Sequence, residues 1–200
     1  MFMSPASLPK MLLSEREGWS DIVRIHPSVR KLFLSLVVPL SIIPPVMYVF
    51  AQVVYPGQIF ALNRPEPSIA TLLVNGLVFF GVELAMVAFM ARMIRQIAGS
   101  QERQIPLEEA YALAAIAPVP LWLAAFALFI PNLGINMLIL AVAWVASAAL
   151  IRQGVRPLLG VEDEGRARYV ANMIILIGVV AWFSLLIIAA GLLSLLLVWR

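Results

Sequence analysis

Glu83 is the residue of this sequence most able to carry chemistry, because it is the one acidic or basic side chain within the long apolar stretches of the chain. An ionised carboxylate inside a bilayer is costly, so such a residue is neutral, is paired or faces water. Asn75 precedes it by eight positions, a rotation of about 80° on a helix, so the two side chains can share a face. Two interpretations stay open. A neutral Glu83 joins two helices by a hydrogen bond, or an ionised Glu83 lines a wet path for a cation or a proton.

A second candidate feature is the apolar stretch 32–54, which is interrupted by prolines at positions 39, 44 and 45. Proline has no N–H group, so the carbonyl group four residues before each proline loses its helical partner. Inside a bilayer that carbonyl needs another donor, such as the hydroxyl of Ser41, a neighbouring helix or a trapped water. We therefore expect this helix to bend and to pack against other helices. The candidate polar site inside the membrane comprises Glu83, Asn75, Ser41, Pro44 and Pro45.

The sequence offers little to an enzyme, a metal or a nucleic acid. It contains no cysteine, and its single histidine, His26, has no neighbouring metal ligands. The acidic run at 162–164 lacks the spacing of a calcium loop and is followed by arginines, which favours a solvated loop. No phosphate loop, dinucleotide fingerprint, zinc motif or serine nucleophile pattern is present. We therefore expect no catalytic residue, no cofactor, no metal and, because the arginines are not clustered, no nucleic-acid partner.

Five apolar stretches dominate the chain and must position these residues. The sequence is 62% hydrophobic and 12% charged, whereas charged residues make up about a quarter of a typical soluble protein. Stretches of this length and polarity are typical of transmembrane helices. The sequence therefore predicts an all-α integral membrane protein in which residues 32–200 form a single transmembrane domain, with spans at about 32–54, 68–91, 110–130, 135–151 and 170–199.

Residues 1–31 are predicted to form a cytoplasmic tail that contains a short amphipathic helix at the membrane surface. Ser14 and Glu17 have the spacing of a capping box, so this helix is expected to begin directly after Ser14 and to end before Pro27. Trp19 lies on its apolar face and is the expected anchor in the membrane interface. The alternative is a cytosolic helix packed on the loops.

Basic residues predict the orientation in the membrane. Arg30 and Lys31, directly before the first span, are expected at the level of the lipid headgroups. Twelve of the fourteen lysines and arginines fall in alternate segments, namely the N-terminal tail, the 92–109 loop and the 152–169 loop. Because cytoplasmic segments carry the excess of basic residues, the N-terminus is predicted in the cytoplasm and the C-terminus outside.

The order of these features resembles one family. The segment EGWSDIVRIHPS, the proline-interrupted span PLSIIPPVMYVFA and the four further spans are similar to the bacterial branch of the Yip family, five-span membrane proteins related to the eukaryotic Ypt/Rab-interacting proteins. The resemblance covers residues 12–199 and assigns no functional residue. It implies a non-enzymatic multi-pass protein, expected in the bacterial cytoplasmic (inner) membrane, whose helices associate as a homo-oligomer or with other membrane proteins.

Two functions are compatible with these residues. The first is a scaffold or adaptor that binds partner membrane proteins or lipids through its kinked bundle and its surface helix. The alternative is a small channel, transporter or lipid-moving protein in which Glu83 and the carbonyls freed by Pro44 and Pro45 form a polar path. Glu83 in a water-filled cavity would favour the path, and Glu83 in a dry contact with the first span would favour the scaffold. A membrane-embedded enzyme is a third class, against which the missing motifs argue.

Overall fold

The computed structural model describes residues 18–59, 67–99 and 104–198, most of which are helical. A short helix α1 (Trp19–Ile25) precedes five helices that are long and apolar enough to cross a membrane. These five are α2 (Val29–Val54), α3 (Ile69–Ala98), α4 (Leu107–Phe129), α5 (Leu133–Leu159) and α6 (Glu164–Val198). The three described ranges contain no strand. The predicted fold class, an all-α protein with five helices of spanning length, is confirmed.

Prolines shape helix α2. The helix widens into a π-helical turn at Phe33–Val37, directly before the segment that contains Pro39. A second interruption falls at Ile42, and the helix restarts there with Pro44 and Pro45 in its first turn. The first turn of a helix needs no backbone donor, so prolines are tolerated at that position. The irregular first span expected from the prolines is therefore present in the fold.

Helix α1 lies within the segment where the sequence analysis expected a short amphipathic helix. It begins at Trp19, after Gly18 with its positive φ of 88°, while the predicted capping box at positions 14 and 17 lies outside the described residues. Trp19 is 0% exposed, and its ring packs against Gly154 of α5. A ring enclosed by protein cannot contact lipid headgroups, so the expectation that Trp19 anchors the membrane surface is corrected. Helix α1 packs on the helical bundle instead.

The hydrophobic core is centred on the first half of α4. Every residue from 110 to 117 is buried, and five of these eight residues are alanines. Small side chains let helices approach closely, and α4 accordingly packs between α3 and α5, while α6 packs along α3. Trp19 and Ile22 of α1 join the same core. The N-terminal helix and the membrane helices thus share one hydrophobic core.

Three helices extend six to eight residues beyond the apolar stretches that predicted them. Helix α3 continues seven residues past the expected end at position 91, α5 continues eight past position 151, and α6 begins six before position 170. These additional turns carry six of the twelve arginines of the chain. A charged residue ends an apolar stretch without ending the helix, because the backbone hydrogen bonds of a helix also form in water. The apolar pattern therefore locates only the bilayer-crossing part of each helix.

Candidate functional site

Glu83 lies on the buried face of α3 and is hydrogen-bonded to α4. The indole Nε1 of Trp122 donates to Glu83 Oε1 at 3.0 Å. Both side chains are buried, with 7% of Glu83 and 4% of Trp122 exposed. The sequence analysis expected a dry contact of Glu83 with the first span, α2, whereas this hydrogen bond joins α3 to α4. Glu83 therefore links two helices of spanning length.

Trp122 is the site residue that the sequence analysis missed. Helix α4 is interrupted at Ala117 and Pro118, and it restarts at Val119, which places Trp122 in the first turn of its second segment. The carbonyl oxygen of Pro118 accepts from the backbone N–H of Trp122 at 3.0 Å and fixes that turn. A buried indole N–H needs an acceptor. Glu83 is the one acidic residue of the apolar stretches. The need of a buried tryptophan for a hydrogen-bond acceptor could therefore have pointed to Glu83 from the sequence alone.

Glu83 and Trp122 line a cavity of about 390 Å³ enclosed mainly by α3, α4, α5 and α6. Pro44 of α2 also lines it. Most of the remaining wall consists of aliphatic, methionine and aromatic side chains, among them Met90 and Trp144. Sites for small molecules typically measure about 300–1,000 Å³ and combine an apolar wall with a few polar groups. The cavity has the dimensions and the composition of such a site.

Two polar atoms in this wall have unused hydrogen-bonding capacity. Within the described ranges, Glu83 Oε2 and Ser147 Oγ are buried and have no hydrogen-bond partner. Ser147 lies on α5 and is 6% exposed. The two groups therefore enter the wall of one cavity from two different helices.

The other members of the predicted polar site are buried but do not line this cavity. Asn75 is 3% exposed and Ser41 is 0% exposed. Pro45 lies against α3, since a Cβ added at Gly76 would be 3.7 Å from Pro45 Cβ. The structure thus brings Glu83 and Pro44 to one cavity and leaves Asn75, Ser41 and Pro45 in the contacts between helices.

The basic residues at the start of α2 are at the surface. Arg30 and Lys31 are exposed in the first turn of the helix, and the backbone carbonyl of Lys31 accepts from Ser35 Oγ at 2.6 Å. No group of three histidine, cysteine or acidic side chains that could hold a metal ion occurs in the part of the chain that the structure describes.

The charged ends of α3, α5 and α6 meet at one end of the bundle. Arg166 of α6 donates to the carbonyl oxygens of Ala98 and Gly99, at 3.4 and 3.5 Å, where α3 ends. A cation stabilises the carboxyl end of a helix, because the helix dipole is negative there. Arg152 of α5 donates to Asn172 of α6 at 3.5 Å. These contacts hold the arginine-rich ends of the three helices together.

Comparison with known proteins agrees with this architecture. The Yip1 domain matches residues 10–186, which is most of the chain. A search of curated proteins and a search of solved structures gave no match. The Yip1 family is a family of membrane proteins that is not known as enzymatic. With a match over nearly its whole length and five helices that can span a membrane, the chain belongs to the Yip1 domain family.

Proposed function

We propose that this protein is a non-enzymatic scaffold or adaptor that binds partner membrane proteins or lipids. The observation that carries the proposal is the attachment of α1 to the bundle by Trp19. The Trp19 ring is 0% exposed, and a Cβ added at Gly154 would lie 2.7 Å from Trp19 Cη2, so ring and helix backbone are in close contact. A helix fixed in this way offers a partner a rigid surface that needs little ordering on binding.

The outer side of α1 provides that surface. Asp21 and Arg24 form an exposed ion pair at 3.3 Å, and Ile25 beside them is 42% exposed. An apolar side chain flanked by charges of both signs is suited to a protein partner, because the apolar group supplies buried area and the charges orient the complex. Arg30 and Lys31, one turn further along the chain, are suited to lipid phosphate groups. The proposed partner is accordingly another membrane protein, or a second copy of this chain, at the surface of the membrane.

The proposed setting is the bacterial cytoplasmic membrane, with α1 on the cytoplasmic side. The excess of basic residues in the segments next to α1 supports this orientation. The resemblance to bacterial Yip proteins supports the choice of membrane.

Photo-crosslinking in intact membranes tests the proposed function. The photoreactive residue p-benzoylphenylalanine replaces Ile25 in one sample and Leu138 in the other, since Leu138 is 66% exposed on the apolar surface of α5. We expect the residue at position 25 to form a reproducible protein adduct, which mass spectrometry identifies, and the residue at position 138 to react mainly with lipid.

The substitution Trp19→Ala provides the second part of this test. Loss of a buried tryptophan ring costs about 3–5 kcal/mol of packing, so α1 should detach from the bundle and the adduct at position 25 should decrease. Phe183→Ala is the matched control, because Phe183 is 52% exposed on α6 and its loss leaves α1 in place. If Trp19→Ala forms the same adduct at unchanged yield, the proposed role of α1 is contradicted. It is also contradicted if the photoreactive residue at position 25 reacts with lipid alone.

A further inference from the structure

The cavity between α3, α4, α5 and α6 contains buried polar groups that the helix contacts do not use. Glu83 Oε2 and Ser147 Oγ have no hydrogen-bond partner among the described residues, and both line the same wall. A buried polar group without a partner destabilises a protein unless a bound molecule completes its hydrogen bonds. Both oxygens are buried beside the cavity, and rotation of the serine side chain about Cα–Cβ or of the glutamate about its last bond, which has broad minima, would turn them towards it. Two such groups on two helices indicate a ligand with a polar group of its own.

The dimensions of the cavity restrict the shape of that ligand. Its wall follows α5 from Leu133 to Ile151, which is about 27 Å at the rise of an α-helix and close to the thickness of the hydrocarbon core of a bilayer. A cavity of about 390 Å³ that extends over this length is narrow. A flexible hydrocarbon chain fits both its length and its volume.

The polar groups restrict the chemistry of that ligand. A carboxyl oxygen such as Glu83 Oε2 accepts a hydrogen bond, and the hydroxyl of Ser147 can donate one. A ligand hydroxyl can serve either group, because it donates one hydrogen bond and accepts others. An ammonium group cannot accept from the hydroxyl of Ser147, and a charged group of either sign is costly to bring into a cavity with a mostly apolar wall. We propose that the cavity is a binding site for an uncharged, hydroxyl-bearing hydrocarbon molecule of the long-chain alcohol class.

Such a molecule reaches the cavity from the bilayer. Two of the lining side chains are also on the outer surface, since Met137 of α5 is 57% exposed and Leu186 of α6 is 38% exposed. Between these helices the rings of Trp144 and Trp182 meet edge to face at 5.3 Å, and both rings line the cavity. The ligand therefore enters sideways between α5 and α6 and passes these two rings.

Photolabelling of the full-length protein in membranes tests the proposal. The probe is hexadecanol with a diazirine in its chain, and the comparison probe is the matched hydrocarbon without the hydroxyl. We expect the alcohol to label cavity residues such as Met86 and Met90 in competition with unlabelled hexadecanol. One hydrogen bond corresponds to a preference for the alcohol of about threefold to tenfold. Labelling confined to the lipid-facing surface, or equal cavity labelling by the two probes, would overturn the proposal.

A cavity-filling variant tests where the probe binds. Gly178 of α6 lines the cavity, and a Cβ added there meets Met90 Cε at 3.8 Å, an ordinary contact, so Gly178→Leu fills space without strain in the backbone. Gly191→Leu is the matched control on the same helix, where an added Cβ meets nothing within 4 Å. We expect competitive labelling to be lost in Gly178→Leu and kept in Gly191→Leu. Equal labelling of both variants would overturn the site.

Variants of the polar residues in the wall test which groups bind the hydroxyl of the ligand. Glu83→Leu combined with Trp122→Phe removes both partners of the α3–α4 hydrogen bond, so neither partner is left buried and unpaired and the fold should be preserved. This double variant should bind alcohol and hydrocarbon equally, and Ser147→Ala should reduce the preference for the alcohol. A preference unchanged in both variants would contradict the assigned groups, and wild-type labelling provides the test if either variant fails to fold.

This inference names the ligand class for the lipid part of the proposed function and rests on that part. Crosslinking from position 25 is measured in the same membranes as the photolabelling. Loss of labelling with the protein adduct retained would reject the cavity ligand alone. Loss of the protein adduct with labelling retained would reject the scaffold role alone.

Discussion

At the scale of single residues, Glu83 and Trp122 show how a membrane protein accommodates polar groups in an apolar bundle. The carboxyl group and the indole are both buried among the helices, and the 3.0 Å hydrogen bond between them satisfies one atom of each. Hydrogen bonds between membrane helices contribute about 0.6 kcal/mol on average and up to about 1.7 kcal/mol. The loss of one partner can cost more, because the other is left buried and unpaired.

This asymmetry predicts different effects for substitutions at the two positions. Trp122→Phe leaves the carboxyl group of Glu83 without its donor and should lower the free energy of unfolding by about 1–3 kcal/mol. Glu83→Gln keeps an oxygen that accepts from Trp122, so it should change the free energy of unfolding by less than about 1 kcal/mol. Thermal unfolding in detergent micelles measures both. Trp144→Phe, which keeps a ring edge-on to Trp182, is the control, and equal stability of Trp122→Phe and the wild type would refute the prediction.

Gly154 gives a second prediction at the residue scale. A Cβ at this position would lie 2.7 Å from both Leu113 Cδ1 and Trp19 Cη2, so Gly154→Ala overpacks the contact by about 1–3 kcal/mol and pushes Trp19 outwards. We expect trypsin to cleave after Arg24 faster in Gly154→Ala than in the wild type. Gly191→Ala is the control, because an added Cβ meets nothing within 4 Å there. In a Trp19→Ala background the same substitution should change the rate of cleavage after Arg24 much less, because the ring that it pushes outwards is absent.

At the scale of helices, the sequence predicts what depends on local chemistry and misses what depends on long-range contacts. Apolar stretches and prolines are local features, so the five spans and the irregular α2 could be inferred. The partner of Glu83 lies 39 residues away in sequence. The pairing depends on the direction in which α4 continues after Pro118, and the proline by itself does not predict that direction. Trp19 shows the same limit, because an apolar helix face looks alike whether it meets lipid or protein.

The contact between α2 and α3 provides a prediction at this scale. A Cβ added at Gly76 would meet Val49 Cγ2 at 3.5 Å and Pro45 Cβ at 3.7 Å, which are ordinary contacts. Gly76→Ala should therefore be tolerated, whereas Gly76→Leu should force the helices apart and cost about 1–3 kcal/mol. Gly81→Leu on the same helix should have little effect, because an added Cβ meets nothing within 4 Å there. Melting temperatures in micelles measure the stabilities of the three variants, and Gly76→Leu should melt at the lowest temperature. A Gly76→Leu variant as stable as Gly81→Leu would contradict the prediction.

At the scale of the whole molecule, charge is gathered at one end of the bundle. Trp19 holds α1 to α5 near Gly154, and Arg166 bonds to the last carbonyls of α3. The N-terminal helix and the arginine-rich ends of three membrane helices therefore lie together, and the loops at the opposite end carry few basic residues. A protein with one strongly basic end has one strongly preferred orientation in a membrane.

The orientation of the chain is the prediction that belongs to this scale. Five crossings place the two termini on opposite sides, and the basic end should be cytoplasmic, so Arg200 should lie outside. Alkaline phosphatase, which is active only outside the cytoplasm, should be active when fused after Arg200 and inactive when inserted at 160–163 between α5 and α6. Exchange of Arg152 and Arg156 for glutamine, which removes two of the four basic residues of that segment, should lower the fraction of correctly oriented chains. A phosphatase active at 160–163 would reverse the orientation and put the proposed docking surface of α1 on the outer side of the membrane.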